Sequence, residues 1–276
     1  MIWQTTRHQI DLTRVRILGV VNVTPDSFFD GGRYASAVDA VRQCERMLQD
    51  GADILDIGGE SSRPGARAIP VEEELDRIIP VLEGALKLGC PVSVDTTKPE
   101  VMRRVLALGV DIINDINALQ EPGAIDAVAR HPSCGVVLMH MHGNPETMQH
   151  RPQYDDVLDE VGRFLLARAE AMRGAGIGPD RIVFDPGIGF GKSVEHNLEL
   201  LRRQRELLAL GRPLLVGWSR KSTLGAVTGR AVGDRQVASV SAALAAVQNG
   251  AKVVRVHDVA ATADALSIWR AAGLCQ

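Results

Sequence analysis

Ile182-Val183-Phe184-Asp185-Pro186-Gly187-Ile188-Gly189-Phe190-Gly191-Lys192 is a short apolar run that ends in an acid and then turns glycine-rich. Runs of this kind, bounded by Pro and Gly, read as strands buried on both faces. Asp185 is therefore expected at a strand end. Gly187, Gly189 and Gly191 would follow in the loop that leaves it, where a missing side chain lets the backbone approach a neighbour, and Lys192 would introduce the next helix. Gly191-Lys192-Ser193 fits the tail of a nucleotide P-loop, but the glycine required five residues earlier is Pro186, which argues against that reading.

The same order recurs along the chain. Eight short β-rich runs, Ile17 to Val21, Ile54 to Ile57, Val92 to Val94, Val110 to Ile113, Val136 to Met139, Ile182 to Phe184, Leu214 to Val216 and Val253 to Val256, alternate with helical patterns. Ala37, Val41, Cys44 and Leu48 keep a helical period after a Ser36 cap, and Gly51 ends it. Leu75, Ile78, Ile79, Leu82 and Leu86 do the same, with Pro80 marking a kink. Thr97-Lys98-Pro99-Glu100 has capping-box form ahead of Val101, Val105 and Leu108. Later helical patterns run from about Val157 to Met172, Val194 to Leu208, Val237 to Gln248 and Val259 to Ala271. Eight strand-helix units predict an α/β fold, a (β/α)8 barrel forming a single domain over residues 1–276, ahead of a doubly wound open sheet.

With 276 residues, 45% of them hydrophobic, the chain can bury the core such a barrel needs. A net charge of −3 with acids and bases interspersed leaves no basic face for nucleic acid and no polybasic tail for a membrane. No apolar stretch is long enough to span a bilayer and the first residues lack a signal core, so a cytoplasmic protein is expected. Cys44, Cys90, Cys134 and Cys275 are scattered without metal-ligand spacing, which fits reduced thiols, at least two of them core fillers.

Polar clusters follow almost every strand, and in this fold that rim carries the active site. In order they are Asn22, Ser61-Ser62-Arg63, Asp95, Asn114, Met139-His140, Asp185, Ser219-Arg220-Lys221-Ser222 and Arg255-Val256-His257. Asp95, Asn114 and Asp185 offer acceptors and an amide to a flat, nitrogen-rich heterocycle, since a carboxylate pairs with an edge bearing two N–H donors. Each alone could instead cap a following helix; three in one mouth favour a ligand. Arg63, Lys221, Arg255 and His257 would make the mouth cationic around an anionic group, with Ser62 suited to phosphate oxygens. Surface ion pairing explains Arg220 better than Arg255, which lies between two valines. A pyrophosphate ester fits the mixture. Lys221 could alternatively form a Schiff base if desolvated. His140 and His142 resemble half a zinc site, but no third ligand is placed to complete it, so loop or supporting roles fit them better. Asn22 could give an oxygen to Mg²⁺.

Ordered motifs from about Gly19 to the final helix resemble the dihydropteroate synthase family. They are Asn22-Val23-Thr24-Pro25-Asp26-Ser27-Phe28, Asp56-Ile57-Gly58-Gly59-Glu60-Ser61-Ser62-Arg63-Pro64-Gly65, Ser93-Val94-Asp95-Thr96-Thr97-Lys98-Pro99-Glu100, Ile113-Asn114-Asp115, Leu138-Met139-His140-Met141, Asp185 to Lys192, Ser219 to Ser222 and Arg255-Val256-His257-Asp258-Val259. Ser62 stands where the family often has threonine, and Phe29 and Trp218 replace smaller residues near the site. The resemblance implies condensation of 6-hydroxymethyl-7,8-dihydropterin pyrophosphate with p-aminobenzoate in folate synthesis, and a sulfonamide target. It implies Asp95, Asn114, Asp185 and Lys221 as pterin contacts, Met139 and Gly217 lining the pocket, and Arg255 stacking on the ring. Asn22, Ser62, Arg63, Arg255 and His257 would hold pyrophosphate and Mg²⁺. Pro64, Gly189, Phe190, Lys221 and Ser222 would surround p-aminobenzoate. Loops around residues 26–34 and 61–68 would close when pyrophosphate binds. Family members are typically homodimers, and the small apolar run Ala242 to Val247 is compatible with that. The rivals are a pterin-binding methyltransferase, which has no use for Arg63 or the Ser219 to Ser222 loop, and a non-catalytic pterin-binding paralogue.

Overall fold

The computed structural model describes residues 1–24, 32–62, 65–145, 147–150 and 152–275, with the backbone alone for 32–36. A three-residue antiparallel pair comes first, β1 Ile2–Gln4 with β2 Gln9–Asp11. Then β3 Arg16–Asn22, α1 Gly32–Gln49, β4 Ile54–Gly58, α2 Val71–Ala85, β5 Val92–Asp95, α3 Pro99–Ala107, β6 Ile112–Asp115 and α4 Ala124–Ala129 follow. The chain continues through β7 Gly135–Met139, α5 Val157–Gly174, β8 Ile182–Asp185, α6 Val194–Arg203, β9 Leu215–Val216, α7 Ser222–Thr228, α8 Gln236–Gln248, β10 Val253–Val256 and α9 Val259–Ala271. Strands β3 to β10 form one parallel sheet of eight in the order β8-β7-β6-β5-β4-β3-β10-β9. A parallel bridge between Phe184 and Leu214 joins its two edges, so the sheet closes into a barrel, the (β/α)8 architecture expected.

The alternation of each strand assigns its residues to two cores. Leu18, Ile54, Ile112, Val137, Val183, Leu215 and Val253 form one buried cluster inside the barrel, and Trp3, Ile10 and Leu12 of the hairpin region join it as a plug at the strands' N-terminal end. Trp3 is fully buried, and its indole N–H donates to the Arg181 carbonyl at 2.9 Å, so the ring is inserted without stranding its one polar atom. The other core lies between strands and helices; Leu75, Ile78 and Leu82 present the buried stripe of α2, and Pro80 sits within that helix without ending it. Cys44, Cys90 and Cys134 are buried free thiols, Cys44 pushed up to about 12 by desolvation, so they act as core fillers.

Two local expectations are corrected. Ser36 does not cap α1, which starts at Gly32. Thr97 and Glu100 form no capping box: Lys98 is the N-cap, without a side-chain cap, and Pro99 supplies the first turn. Glu100 is instead drawn to Arg103 and Arg104, at 2.7 and 3.1 Å. Lys192 precedes the next helix as expected; Ser193 caps α6, accepting from the His196 N–H at 3.2 Å, while the His196 ring accepts from the Ser193 N–H. Among the described residues no helix is long and apolar enough to cross a membrane.

Candidate active site

At the C-terminal ends of the strands the inward-facing positions change from apolar to polar. Register pairs Gly58 with Asp95 and Asp95 with Asn114, so these three lie in one layer on β4, β5 and β6. Asp56 lies one layer deeper on β4 and is fully buried. From β10, Arg255 reaches across the barrel: its Nε donates to Asp56 Oδ2 and its Nη2 to Asp95 Oδ2, both at 2.7 Å. Asn114 Nδ2 donates to the same Asp56 oxygen at 3.2 Å. Asp95 and Asp185 cap no helix; the N-caps of α3, α4 and α6 are Lys98, Gly123 and Ser193. Asp185 Oδ1 accepts instead from the Gly187 N–H at 2.7 Å, which ties the acid to its own loop.

Lys192 holds that loop against β7. Its ammonium is buried and meets His140 Nδ1 at 2.9 Å and the carbonyls of Gly187, Phe190 and His140 at 3.0, 3.1 and 3.3 Å. His140 packs edge-on against Phe164, with ring centroids 5.0 Å apart. The loop approaches so closely that a Cβ on Gly187 would lie 1.9 Å from the His140 carbonyl oxygen. On the other side, Asn197 accepts from the Gly189 N–H at 2.8 Å and donates to Thr223 at 3.0 Å, linking the loop to α7. Lys221, just before α7, places its ammonium 4.1 Å from the centre of the Phe190 ring. Asp95, Asn114, Asp185, Lys221, Phe190, Gly189 and Arg255 are thus brought to one mouth, with buried Met139 at the end of β7 and Gly217 beside the root of Arg255.

The remaining expected residues lie around this centre. Asn22 ends β3, half-buried, and Ser222 is the exposed first residue of α7. Ser62 lines a cleft of about 280 Å³ that opens beside Asp95 and also touches Thr96, Ile116, Asn117 and Met141. His257 sits over Ser219, its Nδ1 3.0 Å from the hydroxyl. Burial, then Arg255 and Arg220, push His257 down to about 3. Arg220 is a surface partner of Asp258 at 2.6 Å. Trp218 is buried beneath the rim, while Arg63, Pro64, Phe29 and the loop expected around 26–34, up to Gly31, lie outside the described residues. Sequence reading passed over Asp56 and Lys192 as functional. The signal for Asp56 was an acid inside the otherwise apolar run Ile54 to Ile57.

Desolvation dominates the electrostatics. Burial pushes Asp95 up to about 7 against the pull of Arg255, with Asp56 adding repulsion. It pushes Asp185 up to about 6 despite the Gly187 N–H and the Lys221 charge. Lys221 is brought down to about 8 by burial and by Arg255, with Asp185 and Asp95 opposing. Burial also lowers Lys192 to about 7. The mouth therefore holds carboxylates that a donor-rich or cationic ligand would stabilise in their charged form. Such a ligand binds the ionised acids, so its affinity should be level well above pH 7 and fall as pH drops through about 7 and then about 6, by up to about tenfold per unit for each proton. Ligand titrations from about pH 5 to 8 check this, and a flat profile would remove both carboxylates from recognition.

A chemistry of this kind is matched by known proteins. The family model described as pterin binding enzyme matches residues 18–257. Dihydropteroate synthase of Neisseria meningitidis serogroup B is 51% identical over 279 residues, spanning 99% of this chain and 98% of its own. The solved structure of Xanthomonas albilineans dihydropteroate synthase with 4-aminobenzoic acid has a TM-score of 0.92 at 50% identity, covering 99% of both chains. That of the Burkholderia cenocepacia enzyme complexed with 7,8-dihydropteroate has a TM-score of 0.90 at 48% identity, covering 99% of this chain and 96% of its own. The barrel is that of the pterin-binding enzymes, and the chain belongs to that family, among its dihydropteroate synthases.

Proposed function

We propose that the chain joins 6-hydroxymethyl-7,8-dihydropterin pyrophosphate to p-aminobenzoate, giving 7,8-dihydropteroate and pyrophosphate by an SN1-like substitution. The observation that carries this reading is the pair of desolvated carboxylates, half-buried Asp95 and buried Asp185, facing one mouth with Lys221 and Arg255. Asp95, Asn114 and Asp185 read the donor edge of the pterin. Arg255, held by Asp56 and Asp95, presents its flat guanidinium to the ring and its charge to the phosphate end. When the C–O bond breaks, its electron pair leaves with pyrophosphate, and the positive charge left on the methylene and ring is stabilised by the two acids. The arylamine lone pair then forms the C–N bond and the nitrogen loses a proton; the amine is neutral near pH 7, so no strong base is required.

The p-aminobenzoate side is assigned to Phe190, Gly189, Lys221, Ser222 and Pro64. The pyrophosphate is assigned to Ser62, Arg63 and His257. Mg²⁺, when bound, would neutralise phosphate charge, and the half-buried Asn22 amide is the oxygen donor this chain offers it. One protein oxygen suffices for an ion that keeps waters and shares substrate phosphates; no cluster of three His, Cys, Asp or Glu ligands occurs among the described residues. We place the enzyme in the cytoplasm as a homodimer. Ala242, Ala243, Ala246 and Val247 are buried within the chain itself, so the pairing surface is assigned to exposed Val237 and Ile268 nearby, 78% and 70% accessible.

Ordered binding tests the reading. If pyrophosphate completes the p-aminobenzoate pocket, labelled p-aminobenzoate should bind about five- to 150-fold more tightly with pterin and Mg²⁺-pyrophosphate present than alone. Equal affinity in both conditions would refute the ordered closure of the loops. Lys221 acts here as an ammonium, so borohydride should trap no substrate on the protein; a stable adduct at Lys221 would place a Schiff base in the reaction instead.

A further inference from the structure

We infer that Asp56 determines ring specificity as a positioning residue: it fixes the amide of Asn114 with its NH₂ inward, leaving the Asn114 oxygen as the acceptor that meets the ligand. This deepens the pterin reading of the mouth and rests on it. Asp56 is fully buried one layer below the rim, on the inward side of β4, and Gly58 above it has no side chain to cover it. Its Oδ1 has no hydrogen-bond partner, so its interactions run through Oδ2, which accepts from Arg255 Nε at 2.7 Å and from Asn114 Nδ2 at 3.2 Å.

The orientation is a chemical necessity. A carboxylate paired with a guanidinium can only accept, so the face of Asn114 turned toward it must be the NH₂. Asn114 Oδ1 accepts no hydrogen bond from any described side chain or backbone group, and the residue is 4% exposed, so this oxygen is left for whatever fills the mouth. The rim then presents Asp95, Asp185 and the Asn114 oxygen as acceptors, which selects a ring bearing an exocyclic amino group over one bearing an oxo group at that edge. Without Asp56 the amide can rotate and serve either ring.

The test is calorimetric titration with 6-hydroxymethylpterin and with 6-hydroxymethyllumazine, which carries oxo in place of the 2-amino group. Wild type should prefer the pterin by about tenfold or more. Asp56→Asn, whose amide oxygen can take the place of Oδ2, should keep that preference, whereas Asp56→Ala should narrow it to within about threefold. Asn114→Ala should narrow it alike, and Asp56→Ala added to Asn114→Ala should narrow it no further, because one residue acts through the other. If Asp56→Ala does not fold, Asp56→Val takes its place in the same comparison. Full preference in a folded Asp56→Ala or Asn114→Ala protein would overturn the inference while leaving the pterin reading intact. Wild-type protein that binds neither ring would overturn both.

Discussion

Asp185→Asn is expected to bind 6-hydroxymethylpterin about ten- to a hundredfold more weakly than wild type and to lose kcat/KM by a similar factor. The carboxylate is buried at the end of β8, and burial has already raised it to about 6 despite the Gly187 N–H and Lys221, so ligand donors would add to these in favouring its charged form. An amide there removes the charge and turns a donor toward the N–H edge of the ring. Oδ1 also accepts from the Gly187 N–H at 2.7 Å, and the amide oxygen can keep that bond, so the fold should survive. Circular dichroism and calorimetry separate the cases: a folded variant with unchanged pterin affinity would remove Asp185 from recognition.

Gly187→Ala should be the most damaging single-methyl change in the site. Gly187 has φ +68°, and an added Cβ would fall 1.9 Å from the His140 carbonyl oxygen, which is backbone and cannot turn aside. The loop must lift from β7, breaking the Lys192 bonds to Gly187 and Phe190 and displacing the ring under Lys221. A cost of about 3 kcal/mol or more is expected. That lowers Tm by about 6 °C or more. Gly176→Ala is the control, since Gly176 has φ +82° but nothing within 4 Å of its Cβ position. It should cost only the backbone strain, about 1–2 kcal/mol, and spare activity. Equal melting temperatures for the two variants would show that the close approach at His140 is not what requires glycine.

The barrel was legible because its strands are continuous apolar runs, each ended by polar, glycine-rich sequence. The two three-residue strands of the hairpin were not, since Ile2–Gln4 and Gln9–Asp11 are too short to show alternation, and Trp3 is identified as a barrel plug only by long-range packing. The six-residue α4 and seven-residue α7 are likewise too short for a helical period. Thr97 to Glu100 obeyed a local rule that tertiary charge pairing overrode: Lys98 turns to Glu60 and to buried Glu74, and Glu100 to its neighbouring arginines. The rim acids were visible because each ends a strand. Asp56 stands two residues before its strand ends, and its partners Arg255 and Asn114 lie 199 and 58 residues away, a juxtaposition that only barrel closure creates.

The account is tested most directly by its product. Wild-type protein given 6-hydroxymethyl-7,8-dihydropterin pyrophosphate, p-aminobenzoate and Mg²⁺ should form 7,8-dihydropteroate, detected by mass, with one pyrophosphate released per molecule, and neither should accumulate at that rate when p-aminobenzoate is withheld. Pyrophosphate release without dihydropteroate, or no turnover by protein that binds the pterin, would contradict it.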